Sequence, residues 1–321
     1  MDYLVLALSG CGFLFGLFLL IYGADRFVDG AANIAKSVGV SEHIIGLTLV
    51  AMATSLPELA ASSIASFQGY GDLALGNVVG SNIANICLVL GASSLIIILK
   101  PSEETSRDAV FMVLVSLLLF VLFYFRFAAL PGYIMSGDGG EFFDDRRISR
   151  LEGAGMLLVF TGYTYYLFRT LRVGAGDESS DLKKEMALVL GGFLAIGFGG
   201  WVFVNSAVSI ADELAVTTAF IGLSIVALGT SIPELTTSLV AAVKDRQSIS
   251  IGNVLGSNII NILLVLGVAS VINPIDLNSQ PDGGQGLLFT TIPLMLYVSF
   301  LAFLFCNRNI SRLHSFLLLS L

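Results

Sequence analysis

Long, nearly uncharged apolar runs separated by short polar segments recur along all 321 residues. Most are apolar over about 18 residues or more instead of alternating every second position, so the pattern predicts membrane-spanning helices, not barrel strands. The predicted spans are Tyr3–Phe27, His43–Phe67, Leu73–Leu99, Ala109–Ala129, Leu151–Leu171, Met186–Ala211, Thr218–Val243, Ile249–Ile272 and Gly286–Phe305. A last run, Leu313–Leu321, is too short for a hydrocarbon core of about 30 Å and reads as a short or truncated tenth helix.

Two of these stretches are near-copies. Gly46–Gly91 and Gly222–Gly267 align without a gap at an offset of 176 residues, with 24 identities in 46 positions. The offset extends upstream: Gly23, Phe27, Val28, Ala31, Ile34 and Ala35 recur as Gly199, Phe203, Val204, Ala207, Ile210 and Ala211. The unit is therefore five spans, and an odd number of spans inverts its second copy in the membrane. The expectation is an all-α polytopic membrane protein of about ten transmembrane helices in two inverted five-helix repeats, residues 1–172 and 186–321, joined by a linker at 173–185. That plan is typical of secondary transporters, whose sites form at the repeat interface near the midplane.

Composition supports this class. The chain is 55% hydrophobic and 12% charged, half the usual charged fraction of a soluble domain, and its mean hydropathy is +0.88. The net charge of −8 comes with no basic block suited to nucleic acid. Cys11, Cys87 and Cys306 lack metal-ligand spacing and read as small packing residues. The N-terminus has no basic region, so the first run reads as a retained span. Of the 16 Lys and Arg, twelve fall at the ends of spans 1, 3, 5, 7 and 9 or in the loops after them. Those loops belong inside, which puts the N-terminus outside and the central linker in the cytoplasm of a multi-pass cell-membrane protein.

The chemistry sits in the copies. Thr54-Ser55-Leu56-Pro57-Glu58 lies mid-span and recurs as Thr230-Ser231-Ile232-Pro233-Glu234. Proline removes a helical N–H, leaving the carbonyl of Ala53 without its usual partner, and such a break is tolerated at membrane depth where it lines a cavity. Thr54 and Glu58 share a helix face, as do Thr230 and Glu234. Spans 3 and 8 carry polar stripes at a spacing of four, Asn77-Ser81-Asn85 and Asn253-Ser257-Asn261, flanked by Gly76, Gly80, Gly252 and Gly256. Asn82 and Asn258 read as supporting or packing residues. A lone intramembrane acid can be mere helix–helix glue, but two acids in matching pentapeptides point to function. Carboxylates, hydroxyls, amide oxygens and freed carbonyls make an all-oxygen site, which suits hard cations, Ca²⁺ better than Mg²⁺. Asp25, Asp29, His43 and the acidic run Asp138–Asp145 read as solvated or interfacial positions. No nucleophile–base pair or catalytic metal motif suggests an enzyme.

The paired GxxxxAxxTSxPE and GNxxGSNIxNI motifs resemble the two alpha repeats of the calcium/cation antiporter superfamily, in particular the compact prokaryotic sodium/calcium exchangers. The resemblance covers essentially the whole chain. It implies ten helices, a Ca²⁺ site flanked by Na⁺ sites between helices 2, 3, 7 and 8, and sliding of helices 1 and 6 to alternate access. By motif position it makes Glu58 and Glu234 the shared Ca²⁺ carboxylates, with Thr54, Thr230 and the carbonyls of Ala51 and Ala227 as further ligands. Ser55, Ser81, Ser231 and Ser257 line the Na⁺ sites, and Asn85 is the central polar residue of the first repeat. Its counterpart is Asn261 where several exchangers carry Asp, so this core has two carboxylates instead of three. The expected function is Ca²⁺/Na⁺ antiport by alternating access, with small inorganic cations as cargo, the lipid bilayer as surroundings, no cofactor and no obligate protein partner. The rival readings are a Ca²⁺/H⁺ antiporter using the same glutamates, a passive cation channel, and a structural protein with the acids as glue.

Overall fold

The computed structural model describes residues 2–37, 52, 54–99, 101, 103–124, 147–170, 182–243, 247–277, 287–306 and 310–321. Ala51, Ala53, His43, the first part of predicted span 2 (43–51), the acidic run 138–145 and residues 173–181 of the linker lie outside them.

Helix α1 (Tyr3–Ser37) runs ten residues past the predicted end of span 1. No proline interrupts it, and the polar residues that end the apolar run are compatible with helix. Helix α2 (Leu56–Phe67) follows a turn at Ser55. Helix α3 (Gly71–Ile96) is continuous but contains a π-helical stretch, Asn85–Leu90. Helices α4 (Glu103–Tyr124) and α5 (Arg150–Thr170) complete the first half. In the second half, α6 (Leu182–Leu214) is followed by α7 (Thr218–Thr230) and α8 (Ile232–Val243), which meet at a bend of 40°. Helix α9 runs as Gln247–Ile260, a π-helical stretch Asn261–Leu266 and Gly267–Ile272. Helix α10 comprises a π-helical turn, Leu287–Thr291, and Ile292–Cys306, and α11 is Arg312–Leu319. Among the described residues, six helices are long and apolar enough to cross a membrane, or seven if the bent pair α7–α8 is one span.

Helices α3 and α9 form the centre. Leu73, Leu75, Val78, Val79, Val254, Leu255 and Ile259 are fully or almost fully buried. Close helix approach is bought with glycine. A Cβ at Gly76 would lie 2.6 Å from the Ala219 carbonyl, and one at Gly222 would lie 2.5 Å from the Leu73 carbonyl, so the α3 and α7 backbones touch there. For Gly252, by contrast, no described atom lies within 4 Å of such a Cβ.

Among the described residues, helices α1 and α6 pack against each other along their length and more lightly against the other helices. Gly16 and Gly23 meet the backbones of Gly199 to Phe203 and of Gly192 to Ile196. Gly30 meets the Glu185 carbonyl. The spacing of seven keeps this small-residue seam on one face of each helix. The opposite faces expose Leu4, Leu8, Phe15, Phe18, Phe193, Leu194, Phe198 and Trp201. Gly191 and Gly197 meet nothing within 4 Å and do not belong to the seam.

A second internal match lies at the periphery. Strand β1 (Arg147–Ile148) pairs antiparallel with β2 (Ile275–Asp276), and Leu99 bridges Ile310 in the same manner. Each crossing feeds a capped helix: the Ser149 N–H donates to Glu152 at 2.7 Å, and the Ser311 N–H donates to His314 at 3.0 Å. Ile148-Ser149-Arg150-Leu151 thus answers Ile310-Ser311-Arg312-Leu313, at an offset of 162 instead of 176. Cys87 and Cys306 are buried, Cys11 is exposed, and all three are free thiols.

Candidate functional site

The Thr-Ser-x-Pro-Glu pentapeptides make the first element of the site. The helix breaks fall at Ser55 (φ −87°, ψ 3°) and Ser231 (φ −84°, ψ 3°), two residues before each proline, not at the proline itself. Both serines adopt the sparsely populated bridge conformation common at functional positions. Pro57 then sits in the first turn of α2, where its missing N–H is an orphan in any helix. Glu58 and Glu234 fall in the first turns of α2 and α8, where the helix dipole favours negative charge.

The second element is the pair of polar stripes on α3 and α9, and the two elements interlock across the repeats. The Thr54 hydroxyl donates to Asn253 Oδ1 at 3.3 Å, and the Thr230 hydroxyl to Asn77 Oδ1 at 3.1 Å. Thr54 also lies 3.4 Å from Ser257 Oγ, and Thr230 lies 3.5 Å from Ser81 Oγ. Asn77 Nδ2 donates to Ser62 at 2.9 Å and Asn253 Nδ2 to Ser238 at 3.0 Å. Each bond has its counterpart 176 residues away, so the core is built twice with the same parts. Thr54, Ser55, Glu58, Ser81, Asn85, Thr230, Ser231, Glu234, Ser257 and Asn261 are all buried.

The two carboxylates differ in their partners. Glu234 Oε1 accepts from Ser55 Oγ and Ser257 Oγ, each at 3.4 Å. Thr230 and Ser231 lie beside Glu58 in the matching relation but too loosely for a hydrogen bond. The two glutamates are near enough for their charges to interact. On the two glutamates and the asparagines that end the polar stripes, five buried acceptor oxygens then have no hydrogen-bond partner among the described residues: Glu58 Oε1 and Oε2, Glu234 Oε2, Asn85 Oδ1 and Asn261 Oδ1. Buried acceptors are rarely left unmatched, and a set of acceptor-only oxygens is what a hard cation requires. Among the described residues no group of three or more His, Cys, Asp or Glu side chains could hold a metal ion, and the carboxylates at this centre number two.

Of the sequence candidates, Ala51 lies outside the described residues. The Ala227 carbonyl accepts from the Ser231 N–H at 3.0 Å and from the Ser81 hydroxyl at 3.4 Å. Asn85 and Asn261 each open a π-helical stretch, a local widening that recurs at functional sites. The stretch beginning at Asn85 packs on α8, which carries Glu234, and the one beginning at Asn261 packs on α2, which carries Glu58. Sequence reasoning missed Ser62 and Ser238, although they are identical at the repeat offset, and also Met112 and Met295, which touch the asparagines of α9 and α3. Asp25 and Asp29 are exposed on α1, away from this centre. Partial burial, with the Asp25 and Glu185 charges acting against Arg26, raises the Asp29 carboxyl above its usual value.

The sequence matches the family model described as "Sodium/calcium exchanger protein" over residues 8–169 and 184–321. The chain belongs to the sodium/calcium exchanger family. The CaxA protein of Alkalimonas amylolytica is 38% identical over 307 residues, covering 88% of this chain and 87% of the relative. The sodium/calcium exchanger MaX1 of Methanosarcina acetivorans is 32% identical over 322 residues, covering 92% and 90%. The solved structure of the sodium-calcium exchanger NCX_Mj soaked with 10 mM Na⁺ and zero Ca²⁺ superposes with a TM-score of 0.62 at 29% identity, over 98% of this chain and 96% of that one. The family resemblance, the helical membrane architecture and the transporter class expected from the sequence are therefore borne out. This exchanger-family chain is a membrane cation antiporter, not an enzyme, and the ions it handles are its cargo.

Proposed function

We propose that the chain exchanges Ca²⁺ for Na⁺ by alternating access, with Glu58 and Glu234 together holding the Ca²⁺. The observation that carries this reading is the set of five buried, unpartnered acceptor oxygens on two carboxylates and two amides. Ca²⁺ takes six to eight oxygen ligands in flexible geometry, and the hydroxyls of Thr54, Ser55, Ser81, Thr230, Ser231 and Ser257 stand around the same centre to supplement them. One Ca²⁺ neutralises the two carboxylates, and a neutral loaded core crosses a low-dielectric barrier at the least cost. Na⁺ ions compete for the same oxygens, so the two cargoes travel alternately.

In this account residues 1–172 and 186–321 are inverted five-helix halves. The bonds that recur at an offset of 176 support that division. The α1–α6 pair is the element that slides, since its two helices hold each other by backbone contact and, among the described residues, touch the other helices more lightly. The excess of Lys and Arg at the ends of the odd-numbered spans and in the loops after them supports an orientation in the cell membrane with the linker in the cytoplasm and the N-terminus outside.

The test is ⁴⁵Ca²⁺ uptake into proteoliposomes loaded with Na⁺, K⁺ or choline at fixed pH. Uptake from the Na⁺-loaded vesicles alone supports Na⁺ coupling. Uptake from choline-loaded vesicles under an imposed pH gradient replaces it with Ca²⁺/H⁺ exchange on the same glutamates. Large unitary currents without a counter-ion requirement indicate a channel.

A further inference from the structure

Asn82 and Asn258 face each other across the two halves and do not contact the glutamates in any hydrogen bond among the described residues. Both are fully buried. Asn82 Nδ2 donates to the backbone carbonyl of Asn258 at 3.3 Å, and Asn258 Nδ2 donates to the backbone carbonyl of Asn82 at 3.3 Å. The same amide nitrogens touch thioethers, Met295 Sδ at 3.8 Å and Met112 Sδ at 3.6 Å. A carbonyl and a thioether only accept. Each amide must therefore present its NH₂ on that side, and a flip would set oxygen against oxygen and sulfur.

This orientation dictates the next one. With its nitrogen committed, Asn82 offers Oδ1 to Asn261, which donates Nδ2 to it at 3.1 Å. Asn258 offers Oδ1 to Asn85, which donates Nδ2 to it at 3.1 Å. Asn261 and Asn85 then have their oxygens on the far side, and these are two of the five unpartnered buried acceptors. Four asparagines thus form two crossed relays that begin at acceptor-only anchors and end at an amide oxygen in each half.

We propose that Asn82 and Asn258 are positioning residues that set the amide polarity of Asn261 and Asn85 respectively, holding one neutral oxygen ligand from each half toward the cation. The proposal rests on the Ca²⁺ site described above. Without the relay an asparagine at 85 or 261 is free to turn its NH₂ inward, and an NH₂ repels a cation. The relay accordingly favours cation ligation by residues that carry no charge of their own.

The crossing gives a signature that a merely structural role does not share. Equilibrium ⁴⁵Ca²⁺ binding to the purified full chain reads it, with the half-saturating Ca²⁺ of exchange read alongside. Asn82→Ala should weaken Ca²⁺ binding by about 10–100-fold, the range for groups that orient a metal ligand. In an Asn261→Ala background Asn82→Ala should have no further effect, while in an Asn85→Ala background the two losses should multiply. Asn258→Ala should show the reverse pattern, silent with Asn85→Ala and multiplicative with Asn261→Ala. Unchanged binding in folded Asn82→Ala, or the same fold-loss in both backgrounds, overturns the relay. Where an alanine variant does not survive purification, Asn82→Ser and Asn258→Ser carry the test, because a rotatable hydroxyl imposes no polarity. Weakened binding in the serine variants is the expected result and wild-type binding overturns the proposal. No Ca²⁺ binding by the folded wild type contradicts the site itself, and the relay falls with it.

Discussion

Replacing Glu58 by Gln separates stability from function. Neither oxygen of the Glu58 carboxyl has a hydrogen-bond partner among the described residues, and the residue has no exposed surface. A buried charged group left without compensation costs several kcal/mol. Glutamine conserves the shape and removes the ionisable group. Without Ca²⁺, Glu58→Gln is therefore expected to be at least as stable as the wild type. Calcium should reverse the order. A ligand at a hundred times its Kd stabilises by about 2.7 kcal/mol, which for a chain of this size raises the melting temperature by about 4 °C. The wild type should show that rise and Glu58→Gln should not. Thermal unfolding in detergent with EGTA or graded Ca²⁺ measures both quantities. A variant that melts below the wild type without Ca²⁺, or that keeps the Ca²⁺-dependent rise, refutes the reasoning that this carboxyl is held unpaired for a cation.

Three other outcomes follow from the packing. A Cβ at Gly192 would lie 2.6 Å from the Gly23 carbonyl and 2.6 Å from the Phe27 nitrogen, while one at Gly191 meets nothing. Gly192→Val should therefore cost at least about 1–3 kcal/mol and abolish exchange, and Gly191→Ala should leave both unchanged, as melting curves and uptake assays will show. Thr230→Val removes the hydroxyl that Asn77 Oδ1 accepts from at 3.1 Å, stranding a buried acceptor at a cost of about 1–3 kcal/mol, measurable as a lower melting temperature. Glu152→Ala removes the acceptor of the Ser149 N–H and should cost about 1 kcal/mol, with hydrogen exchange faster in the first turn of α5 and unchanged in α3.

The parts of the fold written as repetition were legible in the sequence. The offset of 176 identified the cross-linked elements before any coordinates, because residues that must meet their counterparts are kept in both copies. The stripes of α3 and α9 were legible for a second reason, since a spacing of four marks one helix face regardless of tertiary context. The helix breaks fall at Ser55 and Ser231, within the turn before each proline where a disruption was expected, but the sequence did not show that the proline would start a new helix after a serine in the bridge region. The π-helical stretches had no signal, because Asn-Ile-x-Leu-Val-Leu has no feature that separates one extra residue per turn from ordinary helix. The repeated Ile-Ser-Arg-Leu was present in the sequence but was hidden by the change of offset from 176 to 162. The role of Met112 and Met295 depends on which face of α4 and α10 meets the asparagines, and uniformly apolar helices do not advertise a face.

The claim at the centre of this account is that Glu58 and Glu234 share one Ca²⁺ that Na⁺ displaces. The most direct measurement is ⁴⁵Ca²⁺ uptake by Na⁺-loaded proteoliposomes containing the wild type or Glu234→Gln, each shown to be folded and inserted. The account predicts uptake by the wild type that collapses when the Na⁺ gradient is dissipated, and none by Glu234→Gln. Wild-type rates of uptake through Glu234→Gln would contradict it and return the buried glutamates to a structural role.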